Sequence, residues 1–304
     1  MHLAYEILGL KPGDEVIVST MTFIASTEPL RSIGAKPVFV DIDPISYNID
    51  PAKIEEKITP RTKTIVVVHL HGNPCEMDEI LAIAKKHGLK IIEDCAQAHL
   101  SEYKSQMVGN FGDIATLSFY PSKNLGAYGD AGAFLTNNLS YFNQAKLLVN
   151  HGRTEKYVHQ IEGYNYRLDT IQAAILNVKL KYLNQWTERR ILHAKKYIDK
   201  LKNVALSLPE YSDYKKHVFH IFAIVTDKRN DLIRTLKANQ ISSGIHYPLP
   251  FHLQPAYEHL GYQPGDLPVA ERLSDQFLSL PMYAELTDEN IDKICRLIQN
   301  SIAE

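Results

Sequence analysis

The sequence predicts an α/β fold, with a mostly parallel central sheet in a larger first unit and a smaller α/β unit at the C-terminus. Short β-type runs alternate with helix-compatible stretches through the first half. Those runs are apolar throughout rather than at every second position, as strands covered on both faces require. A second, shorter set of the same elements follows a break near residue 201, so the division expected is 1–201 and 202–304.

Each element has a local reason. Glu15 to Ser19 is a β-type run, followed by a helix expected over 24–33 and a Gly34 stop. Lys36 to Ile42 reads as the next strand. A helix is expected over 50–58, because Asp50 is an N-cap type and Pro51 occupies the first position, where a missing N–H costs nothing. Thr64 to His69 is an apolar strand, Glu76 to His87 a helix closed by Gly88, and Lys90 to Asp94 and Ile114 to Phe119 are further strands. Helices are expected over 170–183 and 187–201, flanking a polar segment rich in Gly and Tyr. In the second unit, Val218 to Val225 is strand-like, Asn230 to Ala238 helical, and His246-Tyr-Pro-Leu-Pro250 a rigid turn. Amphipathic helices are expected over 269–280 and 288–302.

Composition excludes several classes. The 304 residues carry 33 Lys plus Arg against 35 Asp plus Glu, a net charge of −2, so no basic field for nucleic acid exists. No apolar run approaches the roughly 18 residues needed to span a bilayer. The first residues lack the pattern of a secretory signal. Cys75, Cys95 and Cys295 are too scattered for a disulfide framework or a cysteine metal cluster. A cytoplasmic enzyme without membrane or nucleic-acid partners is the expectation.

Three places hold residues with chemical potential. His69-Leu-His71 ends an apolar strand, as a metal pair or as two ordinary strand-end histidines. Glu93-Asp94 ends another strand, where open α/β sheets collect their sites, and a carboxylate there suits a cationic ring nitrogen, a metal, a substrate amine or a helix cap. Lys123 lies in Ser118-Phe-Tyr-Pro-Ser-Lys-Asn-Leu-Gly126 after a third strand; partial burial there would lower its pKa and make it a Schiff-base nucleophile, while full solvation would leave it a loop charge. No G-x-G-x-x-G, P-loop, H-E-x-x-H or C-x-x-C motif is present, which argues against a Rossmann dehydrogenase and a P-loop enzyme.

In order, Thr22-Phe-Ile-Ala-Ser26, Val40-Asp-Ile-Asp43, Pro60-Arg-Thr-Lys63, Glu93-Asp-Cys-Ala-Gln-Ala98, Ser118 to Asn124, Gly163-Tyr-Asn-Tyr-Arg-Leu168 and His246-Tyr-Pro-Leu-Pro-Phe-His252 form one set. Together they resemble the DegT/DnrJ/StrS family of pyridoxal-phosphate (PLP) sugar aminotransferases, from about residue 3 to the C-terminus. The resemblance implies the aspartate aminotransferase-like fold (fold type I) and a homodimer with sites shared between subunits. It implies that Lys123 takes the cofactor as a Schiff base and then shuttles the proton of the amino acid. Asp94 would pair with the ring nitrogen, Gln97 with the ring's phenolic oxygen, Phe23 would stack on the ring, and Ser118 would bind the phosphate. Asn165 would reach the phosphate in the neighbouring subunit; Arg167, His246, Tyr247 and His252 would approach substrate. No metal is expected. Because Lys123 is kept where a dehydrase branch carries histidine, transamination is implied, with glutamate as donor. The acceptor is a keto group on a dTDP- or UDP-linked sugar; the stretch from His151 to Ala174 looks most like the branch acting on 3-keto sugars, with a 4-keto sugar or a non-catalytic regulatory relative as alternatives.

The front departs from the family pattern. Members carry several tens of residues before this point, including a small-residue turn at a helix N-terminus that holds the cofactor phosphate. Here the chain opens at the helical run His2 to Leu8. The expectation is therefore a sequence truncated at the N-terminus, binding PLP weakly.

Overall fold

The computed structural model describes residues 1–303. In chain order the larger unit contains α1 (His2–Ile7), β1 (Glu15–Ser19), α2 (Leu30–Ile33), β2 (Lys36–Val40), β3 (Thr62–Val68), α3 (Met77–His87) and β4 (Lys90–Asp94). It continues with β5 (Glu102–Tyr103), β6 (Gln106–Met107), β7 (Ile114–Ser118), β8 (Gly132–Leu135), α4 (Leu139–Leu148), β9 (Arg153–Glu155), β10 (Val158–His159), α5 (Thr170–Leu180) and α6 (Leu183–Leu201). After these come β11 (Lys215–Lys216), β12 (Phe222–Val225), α7 (Arg229–Ala238), α8 (Pro268–Gln276), β13 (Phe277–Leu280) and α9 (Asp288–Ala303).

The main sheet has the order β2-β1-β3-β4-β7-β8. Its first five strands run parallel, and β8 returns antiparallel against β7 with Thr116 opposite Phe134. Val16, Ile17, Val18, Ile65, Val66, Val67 and Ile92 are all buried, so both faces of the sheet are covered, as the unbroken apolar runs require. One face packs on α1 and α4, through Ala4, Tyr5 and Leu148; the other packs on α3, through Met77, Ile80 and Ala84. Because β1, β3, β4 and β7 are parallel, Ser19, Val68, Asp94 and Ser118 all end at one edge of the sheet.

A second core forms around β12 and β13, which pair antiparallel with Phe222 opposite Leu280. Phe222, Ile224 and Leu278 pack there on α7, α9 and the C-terminal half of α6, through Leu232, Ile294 and Tyr197. The division lies within a shared fabric: Phe251, Tyr257 and Leu267, late in the chain, pack into the core of the large sheet.

Three local expectations are corrected. The helix expected over 24–33 is a short 3₁₀ turn, Ile24–Ser26, and the four-residue α2, because Pro29 offers no N–H to continue the ladder and caps α2 instead. The helix expected over 50–58 is two 3₁₀ turns, with Asp50 capping the first by accepting from Ala52 N at 2.9 Å. The helix expected over 269–280 ends at Gln276. Phe277-Leu-Ser-Leu280 is fully buried and pairs with β12, so burial on both faces outweighed the helical periodicity. Strand β8, α4 and the β9–β10 hairpin had no sequence-level expectation.

Candidate active site

At the C-terminal edge of the sheet, Asp94 ends β4 beside Thr116 of β7, two residues before Ser118. Its carboxylate is buried and held on both oxygens: Ser26 Oγ donates to Oδ2 at 2.8 Å and Ala96 N to Oδ1 at 3.1 Å. Ser26 is fixed in turn, its Oγ 3.0 Å from the Thr22 hydroxyl and its carbonyl accepting from the Tyr5 hydroxyl of α1. The carboxylate therefore keeps a set direction without depending on a ligand.

Lys123 lies in the turn after β7, half-buried and close enough to Asp94 to feel its charge. Burial lowers the proton affinity of its amine, and the opposing pull of Asp94 does not cancel this. Among the described residues its Nζ has no hydrogen-bond or salt-bridge partner.

Gln97, three residues after Asp94, is locked at both ends: His71 N donates to its Oε1 at 2.6 Å, and its Nε2 donates to the Tyr247 hydroxyl at 3.2 Å. Burial pushes the Tyr247 phenol up to about 12. Phe23 lies with its ring centroid 6.3 Å from that of Tyr247 and is 58% exposed, a large apolar side chain left uncovered. His246 holds Ser279 Oγ through Nδ1 at 2.8 Å and accepts from His71 Nε2 on its carbonyl at 3.2 Å. His246 and His220 line a cavity of about 670 Å³ that also meets Ser242, Ser279, Tyr283 and Lys293.

The other expected positions divide. Ser118 is half-buried at the end of β7, its Oγ accepting from Tyr120 N at 3.3 Å. Asn165 and Arg167 are exposed on the extended segment that bridges Asn150, away from the Lys123 cluster's hydrogen bonds. His252 is buried with both nitrogens engaged, Nδ1 with Thr20 Oγ1 at 2.8 Å and Nε2 with Glu271 at 2.9 Å, so its ring braces the fold. His69 and His71 do not act as a pair. His69 Nδ1 accepts from Cys75 N at 3.1 Å, so Nε2 carries the proton and donates to Glu93 at 3.1 Å. His69, Glu93 and Cys95 do converge within 4.8 Å, but the bonds of His69 leave it no lone pair for a cation.

Sequence reading passed over His99 and His220, gave Asn124 no role of its own, and weighed His71 only as a partner of His69. Burial drives His71 down to about 3, and burial with the nearby Lys123 charge takes His99 to about 4 and His220 well below the ordinary range. All three are neutral rings. The signal that was available is His217-Val-Phe-His220, two histidines three apart leading into an apolar strand.

A parallel sheet with a half-buried lysine of lowered basicity and a buried carboxylate at its C-terminal edge fits a transferase of the aspartate aminotransferase-like fold. This chain belongs to the DegT/DnrJ/EryC1/StrS aminotransferase family, whose sequence model matches residues 1–299. It is 47% identical over 292 residues to a pleiotropic regulatory protein of Geobacillus stearothermophilus, covering 95% of this chain and 78% of that one. It is 45% identical over 302 residues to the UDP-N-acetyl-3-dehydro-α-D-glucosamine 3-aminotransferase of Acidithiobacillus ferrooxidans, covering 99% and 81%. Among solved structures, DesV of S. venezuelae in complex with a ketimine intermediate superposes with a TM-score of 0.97 at 38% identity, covering 100% and 82%. The NtdA protein of Bacillus subtilis with bound cofactor PMP gives 0.91 at 35%, covering 100% and 71%. The family and fold expected from the motifs are thus confirmed.

Proposed function

We propose that this chain uses pyridoxal phosphate to move an amino group from glutamate to the C3 keto group of a nucleotide-linked sugar. The observation that carries the reading is the pairing of a buried, pre-bonded Asp94 with an unpartnered Lys123 of lowered basicity. Relatives named as nucleotide-sugar 3-aminotransferases support the sugar and its keto position.

The donor set fits that cofactor: an amine for its aldehyde, a carboxylate for its ring nitrogen, a carboxamide at Gln97 for its phenolic oxygen, an open aromatic face at Phe23, and the Ser118 hydroxyl for its phosphate. When bound, the group supplies an electron sink that makes the amino acid's Cα–H acidic. Asp94, already oriented by Ser26 and Ala96, keeps the ring nitrogen protonated. Lys123 Nζ, once free and neutral, takes the Cα proton and returns it. Phe23 and Tyr247 keep water off the reacting face, and His246 and Tyr247 approach the sugar. His252 acts only by bracing that loop.

Asn165 and Arg167 belong to the site of a second copy in this reading, one reaching the cofactor phosphate and the other an anionic group of the substrate. The exposed apolar side chains of Tyr128, Tyr157, Ile171 and Val178 support such a homodimer, since a monomer would leave them in water.

The test is purified chain with added PLP. A visible absorbance made permanent by borohydride in wild type, and lost in Lys123→Ala, is expected. Incubation with glutamate and UDP- or dTDP-linked 3-keto and 4-keto sugars, read by mass, should give the amino sugar from the 3-keto panel. Product from the 4-keto panel alone overturns the regiochemistry. Cofactor binding with no product from any sugar favours the second reading, a regulatory protein, which the name of the Geobacillus relative suggests.

A further inference from the structure

Asn124 directly follows Lys123 and is buried. Its Oδ1 accepts from His220 Nδ1 at 3.0 Å, and its Nδ2 lies 3.5 Å from the carbonyl of Val218. Both partners come from the segment that leads into β12, in the second unit. That segment is rigidly mounted. Val218 N donates to Gly72 O at 3.1 Å and Ile221 N to His71 O at 3.3 Å, while Arg190 Nη1 donates to the Phe219 and Met282 carbonyls at 3.3 and 2.7 Å. Since Asn124 Oδ1 only accepts, His220 must carry its proton on Nδ1, leaving the Nε2 lone pair beside the 670 Å³ cavity.

We propose that Asn124 and His220 are a positioning pair that aims Lys123 Nζ, so that the second unit sets the reactivity of the lysine held by the first. The proposal rests on Lys123 being the reactive lysine of the proposed function. The pair anchors the backbone one residue from the amine, and a lysine side chain without other bonds follows its backbone. Lys123 is faced by Asp94 from β4, by His99 from the segment after β4, by His246 from the turn before Pro248, and by His220 itself. The three imidazoles are neutral, Asp94 is the carboxylate whose charge pulls on the amine, and Lys179, Arg190 and Glu285 line the hollow on its other side. Releasing the anchor lets Nζ swing out to water, and its proton affinity rises toward that of an ordinary lysine.

The experiment reads Lys123 without turnover. The full chain, cleared of bound aldehyde with hydroxylamine, is treated with trinitrobenzenesulfonate from pH 6 to 10, and Lys123 modification is followed by peptide mass spectrometry. His220→Leu and Asn124→Ala should raise the apparent pKa by about one unit, slowing modification at pH 8 about tenfold. His220→Gln, whose amide can still donate to Asn124, should stay within about twofold of wild type. Asn124→Ala removes the same bond from its other end, so it carries the test if His220→Leu does not fold. Unchanged profiles in both overturn the proposal, as does equal damage by the Leu and Gln variants, which would make ring packing the cause. Loss of sugar transamination in wild type with these shifts intact would sink the proposed function alone.

Discussion

At the scale of single residues, Glu93 takes the greatest share of the polar bonds beneath the site. Burial alone would raise its pKa, but His69 and the backbone N–H groups of Gly109, Phe111 and Gly112, the last three at 2.7 Å, hold the carboxyl below its usual range. A depressed carboxylate contributes stability above its unfolded pKa, and that stability is lost as pH falls through the folded value. Glu93→Gln should therefore cost about 3 kcal/mol at pH 7, as for breaking a buried, charge-assisted set. Urea titrations should show the gap from wild type closing as pH falls below about 4. Ser26→Ala, which frees one oxygen of Asp94, should cost about 1.5 kcal/mol in the same assay. The sequence made Asp94, Gln97 and Lys123 legible because strand ends and turn chemistry mark them. It hid His220 and Asn124, because their pairing joins positions 96 residues apart that no local pattern links.

Among the elements, α8 is organised from a distance. Its first turn opens with Pro268, and the free N–H groups of Val269 and Ala270 donate to Asp41 at 2.9 and 2.8 Å from the end of β2. A buried carboxylate at a helix N-terminus satisfies orphan donors and meets the positive end of the dipole. Asp41→Ala should lower stability by about 2 kcal/mol, measured by chemical denaturation. Asp41 to Asn is expected to recover part of that loss. The same element explains why β13 was misread: Val269 to Leu280 has helical spacing throughout, and only the pairing of Phe277 with Val225 fixes where the helix stops. Parallel strands were legible because burial on both faces writes itself into their composition. Antiparallel β8, with half-exposed Ala133 and Phe134 and exposed Gly132 and Leu135, carries no such signature.

For the molecule as a whole, the first core admits Phe251 and Tyr257 from late in the chain, while the second admits Tyr197 of α6. Neither unit closes its core alone, so unfolding should be one cooperative transition, seen as coincident fluorescence and circular dichroism curves. Ile171→Asp, on the exposed apolar face, should leave that transition in place while shifting sedimentation toward a single copy. Between the units lies Gly72. Its φ of +90° is strained for other residues, and a Cβ there would stand 2.7 Å from Val218 Cγ2 and 2.9 Å from the Gln97 carbonyl. One added methyl would act as a wedge at the seam, prising the His220 segment from Lys123 and Gln97 at once. The distance between the two halves is thus gauged by a missing carbon.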